Sequence, residues 1–367
     1  MNRKTLFLII FLSAMALMLN GCLEDLFGPD DEEPIDSTDV TDDSFVGKWC
    51  RVTVSVDGAM STNGAILTIN DDGTGTHSSS DGDDPFAWKT EDSILTVTLS
   101  EDKSFTASYL FGTNTMTLSY EEDGKTIVEK YAKYTGDRDA NLIGKWVGVR
   151  STMDGVDQVP AMTVTMNSDG AATAFFMDST NIGSQAFSWT TSGKYLLNDL
   201  LTEDSDMWTG IEYTLAAPLM SVKEYYDEGQ VILSTFIKDT GEKDVNLTGT
   251  WNLTALVVNN ISIPSQYIPQ GWSFTLDAPS GAGSLALDAT TVTYSWTTNS
   301  GYLLLYPTLA SQQIGIGQQY AINGNTLSFS IVFNEKTVGY LFGSSQYLAA
   351  YASAANYVVA TFTFTKQ

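Results

Sequence analysis

Histidine and cysteine are almost absent from this chain, which removes most of the side chains that catalysis and metal binding use. One histidine, His77, and two cysteines, Cys22 and Cys50, occur among 367 residues. Nucleophilic triads need a base beside the nucleophile, and zinc sites need several histidine or cysteine ligands. His77 lies in the polar segment Thr74–Asp84, which predicts a solvated loop. We therefore expect no catalytic residue, no metal site and no cofactor.

Basic residues are also scarce. The chain has 18 Lys and Arg against 44 Asp and Glu, a formal charge of −26. Such a charge repels phosphate backbones, so we expect no nucleic-acid partner. The acidic groups at Asp81–Asp84 and Glu203–Asp206 do not follow the spacing of a calcium-binding loop. Beyond the N-terminus, no apolar run reaches the about eighteen residues of a membrane-spanning helix.

The N-terminus has the features of a signal peptide. Arg3 and Lys4 precede the apolar run Leu6–Leu19, which is long enough for a signal and short for a membrane span. The following Leu-Asn-Gly-Cys, ending at Cys22, resembles the lipobox of bacterial lipoproteins. The resemblance implies that residues 1–21 are removed, that the Cys22 sulfur is lipidated and that the new N-terminus is acylated. Two or more acyl chains anchor a protein stably to a membrane.

The segment after the lipobox predicts a tether. Residues 23–43 contain ten acidic side chains and no basic one, a composition that does not bury enough apolar surface to order the chain. We expect residues 22–43 to be a disordered linker, with an acidic export signal as an open alternative. Leu23, rather than aspartate, follows Cys22, and by resemblance to other lipoproteins this favours the outer membrane, on either its periplasmic or its outer face.

A pattern of three marks occurs three times, about a hundred residues apart. Each copy begins with Gly-x-Trp, continues with aromatic-small-Trp and closes with aromatic-x-Lys. The marks are Gly47–Trp49, Phe86–Trp88 and Tyr131–Lys133; Gly144–Trp146, Phe187–Trp189 and Phe236–Lys238; and Gly249–Trp251, Tyr294–Trp296 and Phe364–Lys366. Six of the eight tryptophans lie on this pattern, so the chain contains an internal repeat of domain length.

Apolar and polar residues alternate within each copy, as in Arg51–Val56, and turn pairs such as Asp123-Gly124 separate the runs. This period of two predicts half-buried antiparallel strands in a sandwich or barrel. Cys50 shares the parity of Val52, so we expect a free thiol facing the core, with Arg51 on the other face. The expected domains are repeat 1 at 44–137, repeat 2 at 138–240 and repeat 3 at 241–367.

The repeats resemble lipocalins, and more closely the short lipocalin-like domains of bacterial lipoproteins. The resemblance implies an all-β chain of three tandem antiparallel up-and-down β-barrels. In that family the first-strand tryptophan plugs one barrel end and a last-strand cation lies across it, a contact that contributes about 0.5–2 kcal/mol. The pairs implied here are Trp49 with Lys133, Trp146 with Lys238 and Trp251 with Lys366. The last-strand cation is lysine where arginine is usual, and a Thr-Asp-Tyr-type motif is missing.

Repeat 3 carries an insertion at residues 337–357 that the other copies lack. Its alanine-rich part predicts a helix, which either covers a barrel end or contributes to binding. Aromatic residues of the insertion, and two tryptophans off the repeat pattern, are candidate ligand contacts, with ordinary packing as the alternative. These candidates are Tyr340, Tyr347, Tyr351, Trp208 and Trp272.

The predicted function is that of a membrane-anchored, non-enzymatic lipoprotein that acts in binding, as a scaffold or in surface interaction. Bulky apolar residues at the assignable interior positions favour filled barrels. The alternative is a carrier of a lipid or other small hydrophobic ligand in one barrel, with repeat 3 favoured. The expected partners are the membrane, through the lipid anchor, and an unidentified protein or small hydrophobic ligand. A glycan hydrolase would need two convergent carboxylates, and no motif brings two together.

Overall fold

The computed structural model describes most of the chain from residue 42 onward. The described ranges are 42–79, 82–100, 103–160, 162–177, 182–199, 208–225, 229–268, 270–287, 290–307, 314–335, 337–342, 346–353 and 357–367. Residues 1–21, for which the sequence predicts a signal peptide, lie outside these ranges, as do Cys22 and nearly all of the expected linker. Among the helices in them, none combines the length and the apolar character needed to cross a bilayer.

The described chain forms three sheets of nine strands. The first, barrel 1, contains β1 Gly47–Val56, β2 Ala59–Ser61, β3 Ala65–Ile69, β4 Thr74–Ser79, β5 Gly82–Glu91, β6 Ile94–Ser100, β7 Lys103–Phe111, β8 Thr115–Glu122 and β9 Lys125–Lys133. Barrel 2 contains β10 Gly144–Met153, β11 Val156–Gln158, β12 Met162–Met166, β13 Ala171–Met177, β14 Ile182–Ser192, β15 Tyr195–Asn198, β16 Thr209–Ala216, β17 Leu219–Tyr225 and β18 Val231–Asp239. Barrel 3 contains β19 Gly249–Val258, β20 Ile261–Ser262, β21 Ser273–Asp277, β22 Ala282–Leu287, β23 Thr290–Asn299, β24 Tyr302–Pro307, β25 Ile316–Asn323, β26 Thr326–Phe333 and β27 Val358–Lys366.

Each sheet closes on itself. The first long strand of each sheet pairs with the last, β1 with β9, β10 with β18 and β19 with β27. The short second strand pairs only with the far end of the first, so eight antiparallel strands form the wall of each barrel. Closure removes the exposed sheet edges that would otherwise pair with other chains. The predicted all-β fold of three tandem antiparallel barrels is confirmed.

Tight turns set the register of the hairpins. Asp123 and Gly124, between β8 and β9, both have positive φ, 53° and 73°. This matches the I′ geometry whose twist suits a two-residue hairpin. The pairing that follows from this turn places Tyr131 opposite Met116 and Glu129 opposite Leu118, with all four side chains on the inside of barrel 1.

A β-bulge in the first strand of each barrel reverses the inside–outside alternation. In barrel 1 the register against β9 shifts between Arg51 and Thr53, and the extra residue is Val52. Arg51 shares the interior face of Trp49, whereas Cys50 and Val52 face outward into a separate apolar cluster between barrels 1 and 2. Beyond the bulge, Val54 lies opposite Glu129 and shares the face of Arg51 rather than that of Val52. The expectation that Cys50 and Val52 face the barrel core, with Arg51 on the opposite face, was wrong, because a period of two cannot anticipate an inserted residue.

The outer faces of neighbouring barrels pack together. Cys50 and Val52 of barrel 1 contact a face of barrel 2 that contains Leu197 and Trp208. Gly210 allows this approach, since a Cβ there would lie 2.8 Å from a methyl group of Val52. Burial raises the pKa of the Cys50 thiol to about 12, so this free cysteine stays protonated and unreactive.

Barrels 2 and 3 dock in the same way. Val147 and Val149 contact the barrel 3 face that carries Leu304 and Tyr306. Gly317 allows this contact, because a Cβ at that position would clash with Val149. The register places polar residues at the matching positions on the two terminal faces of the array. These are Thr96 and Thr106 on barrel 1 and Asn252 and Thr254 on barrel 3.

The helices in the described ranges are few and short. They are α1 Asp42–Phe45, α2 Val338–Phe342 and α3 Gln346–Ala352, with 3-10 turns at Ala140–Leu142, Val245–Leu247 and Ser265–Tyr267. The two helices α2 and α3 belong to the insertion of repeat 3, between β26 and β27. They lie at the barrel end opposite Trp251, where Leu341, Phe342 and Leu348 join the barrel core.

Candidate functional site

One end of every barrel is closed by the first-strand tryptophan. Trp49, Trp146 and Trp251 are each no more than 2% exposed. Each indole N–H donates to the backbone carbonyl four residues earlier, over 2.7–2.8 Å. The preceding glycine has a φ near +130 to +139°, which L side chains rarely adopt. We call this the tryptophan end of the barrel.

The last-strand lysines lie across these tryptophans. The Nζ atoms of Lys133, Lys238 and Lys366 are 5.2, 5.4 and 5.0 Å from the ring centroids of Trp49, Trp146 and Trp251, respectively. Lys238 and Lys366 also donate to backbone carbonyls, those of Asn141 and Asn246, over 2.8 and 3.2 Å. A buried indole covered by an aliphatic chain is a structural contact, and it leaves no free aromatic face for a ligand.

The two tryptophans off the repeat pattern are both buried. Trp208 is 8% exposed in the contact between barrels 1 and 2, where its ring meets that of Tyr134 edge-on at 5.1 Å. Trp272 is 2% exposed within the barrel 3 core. Both therefore take part in packing, the alternative that the sequence left open, and their role as ligand contacts stays a prediction. The sequence contains no mark of the contacts between barrels that bury Trp208.

The insertion of repeat 3 fills the end that it covers. Phe342 is 1% exposed and its ring centroid lies 5.0 Å from that of Phe333 and 5.8 Å from that of Phe362. Tyr294 donates its hydroxyl proton to the Leu341 carbonyl over 2.6 Å. Of the predicted ligand tyrosines, Tyr351 is half-buried against this cluster. The side chains of Tyr340 and Tyr347 lie outside the described residues.

Barrel 1 differs, because a buried ion pair lies across its interior. Arg51 and Glu129 have side chains only 9% and 10% exposed, and Nη1 donates to Oε1 over 2.7 Å. Nε of Arg51 donates to the Asn63 carbonyl over 3.0 Å. Burial opposes the guanidinium charge, but Tyr131 and Glu129 outweigh this effect, and the pKa of Arg51 is raised. The guanidinium stays charged.

Two tyrosines complete the coordination of the carboxylate. Tyr131 donates to Oε2 of Glu129 over 3.0 Å, and Tyr120 reaches the same oxygen at 3.4 Å. Burial, together with the charge of Glu129, raises the pKa of both phenols well above the ordinary value. Both hydroxyls therefore keep their protons and remain donors. The carboxylate accepts three hydrogen bonds, which compensates for its removal from water.

His77 and Asp84 face the same interior. They are cross-strand partners in β4 and β5, and His77 is also opposite the interior residue Leu67. Burial lowers the pKa of His77, while the nearby Glu129 and Asp84 oppose the shift, so the imidazole is neutral at pH 7. The prediction of a solvated loop around His77 was wrong, because Thr74–Ser79 is a strand.

An aromatic and aliphatic wall surrounds these polar groups. Phe105 and Tyr120 lie on neighbouring inward positions with ring centroids 4.7 Å apart. Leu99 and Ile127 lie on the same inner surface and, like both rings, are half-buried. Together with Arg51, Glu129, His77 and Asp84 these residues form what we call the barrel 1 mouth. It is the end opposite Trp49. The Arg51–Glu129 pair is its floor, the exposed Asp84 lies at its rim, and the apolar groups are its wall.

The register identifies the equivalent interior positions of the other barrels. Arg51 corresponds to Gly148 and Leu253, Glu129 to Ser234 and Phe362, Tyr120 to Glu224 and Ile331, and His77 to Ala174 and Leu285. Barrel 2 thus has one carboxyl group at this level, Glu224, whose pKa burial raises to about 7. Barrel 3 has only apolar groups at these positions, and all of them but Leu253 are buried.

The site was visible in the sequence only in part. Arg51 is a charged residue on the first strand where the other repeats have Gly148 and Leu253. Glu129 is likewise the charged residue at its position on the last strand. A comparison of the repeats position by position would have found both residues. The bulge after Arg51 hides their shared face, because it places Val54 on the face of Arg51 instead of that of Val52, and it carries no sequence mark that we recognised.

Comparisons with known proteins give weak likenesses. No protein-family model matches the chain, and no curated protein does. The isotype 1 transferrin binding protein B of serogroup B Neisseria meningitidis aligns over 83% of this chain and 66% of its own, slightly less than two thirds, with 9% identity and a TM-score of 0.21. A DUF3598-family protein of unknown function from Nostoc punctiforme PCC 73102 aligns over 53% of this chain and 96% of its own, with 11% identity and a TM-score of 0.18. Similarity at this level supports no conclusion about function.

Proposed function

We propose that this protein is a lipid-anchored, non-enzymatic binding lipoprotein of the cell envelope, built from three lipocalin-like barrels on an acidic tether. The barrel 1 mouth is its ligand-binding site. The observation that carries this proposal is the half-buried interior of that mouth, with a charged floor, in a chain whose third barrel is filled.

The buried ion pair of the floor costs folding free energy, so its presence calls for a functional reason. Moving two charges out of water costs several kcal/mol for each ion, and well-packed apolar residues in their place are often equally stable or more so. Barrel 3 shows that this fold accepts such residues, since Leu253 and Phe362 occupy the positions of Arg51 and Glu129. A binding role explains why barrel 1 keeps the pair at a partly exposed end.

The anchor and the location rest on the sequence before residue 42. The lipobox-like segment ending at Cys22 supports lipidation, and Leu23 after it supports transfer to the outer membrane. Membrane fractionation tests both. Cys22→Ser should move the protein to the soluble fraction, and Leu23→Asp should leave it in the inner membrane. A protein that stays in the outer membrane after Cys22→Ser would contradict the lipid anchor.

Native mass spectrometry of the full protein, extracted from its own membrane, tests the binding role. The matched control replaces the floor with the barrel 3 residues, Arg51→Leu with Glu129→Phe. We expect the wild type to carry the acyl mass and a further reproducible mass, and the control to carry the acyl mass alone. A wild type that never carries a further mass would contradict the ligand-binding role and leave a scaffold or surface-interaction role.

Carriage of a lipid or other hydrophobic ligand in barrel 3 is the second candidate. One observation favours it: the cover formed by α2 and α3 is joined to the barrel mainly by apolar contacts, such as that of Phe342 with Phe333. Displacing this cover would expose a large apolar interior. In the same measurement, a mass that persists in the floor variant would move the ligand out of barrel 1 and favour barrel 3.

A further inference from the structure

We infer that the barrel 1 mouth selects a neutral amphiphile, a molecule with an apolar chain and an uncharged carbonyl acceptor such as an amide, over a fatty anion or a cationic amphiphile. This inference rests on the proposed binding role of barrel 1. It adds the charge class of the ligand, which that proposal leaves open.

The charge on the floor is already balanced, which disfavours an anionic head group. Nη1 of Arg51 lies 2.7 Å from Oε1 of Glu129, and both side chains are about nine-tenths buried. An entering carboxylate would place a second negative charge beside Glu129 around one guanidinium. Like charges in a buried site repel strongly. The exposed Asp84 at the rim, and the net charge of −26, add to the repulsion.

The floor still offers a donor. Among the described residues, Arg51 donates from Nε to Asn63 and from Nη1 to Glu129, and none of them accepts from Nη2. A ligand carbonyl would supply that acceptor. Most of the acceptor capacity of Glu129 is in use, because Arg51 donates to Oε1 and both Tyr131 and Tyr120 donate to Oε2. A ligand that is only a donor therefore finds little on this floor.

A cationic head group is disfavoured by the same pair. Asp84 would attract a cation to the rim, but an ammonium on the floor would lie beside the Arg51 guanidinium. His77 does not offset this charge, since the imidazole is neutral. The wall contacts only the apolar chain of a ligand, so it does not distinguish between head groups. Its half-buried carbon surface comes from Phe105, Tyr120, Leu99 and Ile127. The floor alone therefore decides the selection.

Isothermal titration calorimetry with three probes of equal chain length tests the inference. Decanamide, decanoate and decylammonium are titrated at pH 7.5 into the full mature chain carrying Cys22→Ser, which removes the acyl chains. We expect decanamide to bind at least about tenfold more tightly than either charged probe, the ratio that one charge-assisted hydrogen bond supports.

The variant Glu129→Gln should invert the selection. It leaves Arg51 without a counter-charge while keeping a side chain of the same shape, so decanoate should become the tightest of the three probes, again by about tenfold. Glu224→Gln is the matched control, since it removes the interior carboxyl of barrel 2 instead. That variant should keep the wild-type order of affinities.

The outcomes separate this inference from the proposed function. Tighter binding of decanoate or decylammonium to the wild type overturns the neutral-ligand inference and leaves the binding role intact. Failure of all three probes to bind, or equal binding after Arg51→Leu with Glu129→Phe, contradicts barrel 1 as the binding site. If Glu129→Gln does not fold, the wild-type order of the three probes decides the inference by itself.

Discussion

Barrels 1 and 3 share strand order, closure, bulge and tryptophan end, yet their interiors are opposite in character. In barrel 1 an arginine and a glutamate cross the interior, and the mouth residues are half-buried. In barrel 3 Leu253 and Phe362 take these positions, the Phe362 ring lies 5.9 Å from that of Phe329, and two helices cover the end. One backbone plan therefore serves both a filled barrel and a barrel with a charged floor.

The difference shows that the elements that define the fold are separate from those that fill it. The plug of Trp49 and Lys133 has its equal in Trp251 and Lys366, with nearly the same geometry. Closure depends on main-chain pairing and turns that the barrels share. The interior positions are free to vary as long as each buried polar group finds partners. Function can therefore change in one repeat without loss of the array.

The largest expected effect comes from breaking the ion pair of barrel 1. Glu129→Ala leaves Arg51 buried without a counter-charge, which should cost about 3–5 kcal/mol of local stability. Hydrogen exchange of the β9 amides, read against those of β27, should show the loss in barrel 1 alone. The double variant Arg51→Leu with Glu129→Phe is the control and should stay near wild-type stability. Equal exchange in Glu129→Ala and wild type would show that the pair is not a buried constraint.

Opening barrel 3 is the converse change. Phe342→Ala removes the ring that joins the cover to Phe333 and Phe362, which should cost about 3 kcal/mol as a cavity in the core. The measurements are the hydrogen exchange of β26 amides and the binding of an apolar fluorescent dye. The exposed residue Tyr267→Ala is the control and should change neither. Unchanged dye binding in Phe342→Ala would indicate that the cover remains closed without that ring.

The lysine–tryptophan contacts of barrels 1 and 3 should stabilise the fold by slightly different amounts. Lys133→Met and Lys366→Met each remove a cation from a tryptophan face, at about 0.5–2 kcal/mol. Lys366 also loses its hydrogen bond to the Asn246 carbonyl, so this variant should lose about 0.5–1 kcal/mol more. Hydrogen exchange of the last-strand amides in each barrel gives the two values. A larger loss in Lys133→Met would reverse the expected order.

The smallest effect concerns pH. Burial lowers the folded-state pKa of His77, so the unfolded chain binds its proton more tightly. The stabilisation is therefore full above the unfolded value near 6.5 and is lost as the pH falls through the lower folded value. His77→Leu, which introduces the barrel 3 residue, should make stability less sensitive to acid, because the titrating imidazole is removed. Melting temperatures at pH 7.5 and 5.5 measure this, and a parallel fall in both proteins would exclude His77 as the cause.

Much of the architecture is readable from local marks. Gly-x-Trp, the period of two and the final lysine are short-range features, because a turn, a strand face or a chain end requires particular residues at fixed spacing. They were enough to predict three all-β units of antiparallel strands, and the resemblance to lipocalins implied that each unit closes into a barrel. The site was not readable in the same way. Cys50 and Arg51 were assigned to the wrong faces, since the bulge after Arg51 leaves composition and periodicity almost unchanged.

The roles of Trp208 and His77 show the same limit. Trp208 is buried against residues far earlier in the chain, Val52 and Tyr134 on the neighbouring barrel 1 side. No local spacing encodes such a contact. His77 lies in a run of small polar residues, where strand pairing with Leu67 and Asp84 overrode the low strand propensity.

By itself the sequence determined the number of units, their class and the residues that close each barrel, because these depend on interactions along one strand or one turn. Only the tertiary structure decided which interior is charged, which is filled and which faces join. Those outcomes depend on side chains that meet across a closed sheet or between barrels, as Arg51 meets Glu129 78 residues further along the chain. Closing the sheet brings such distant positions together, and a single bulge changes which residues of the first strand face inward beyond it.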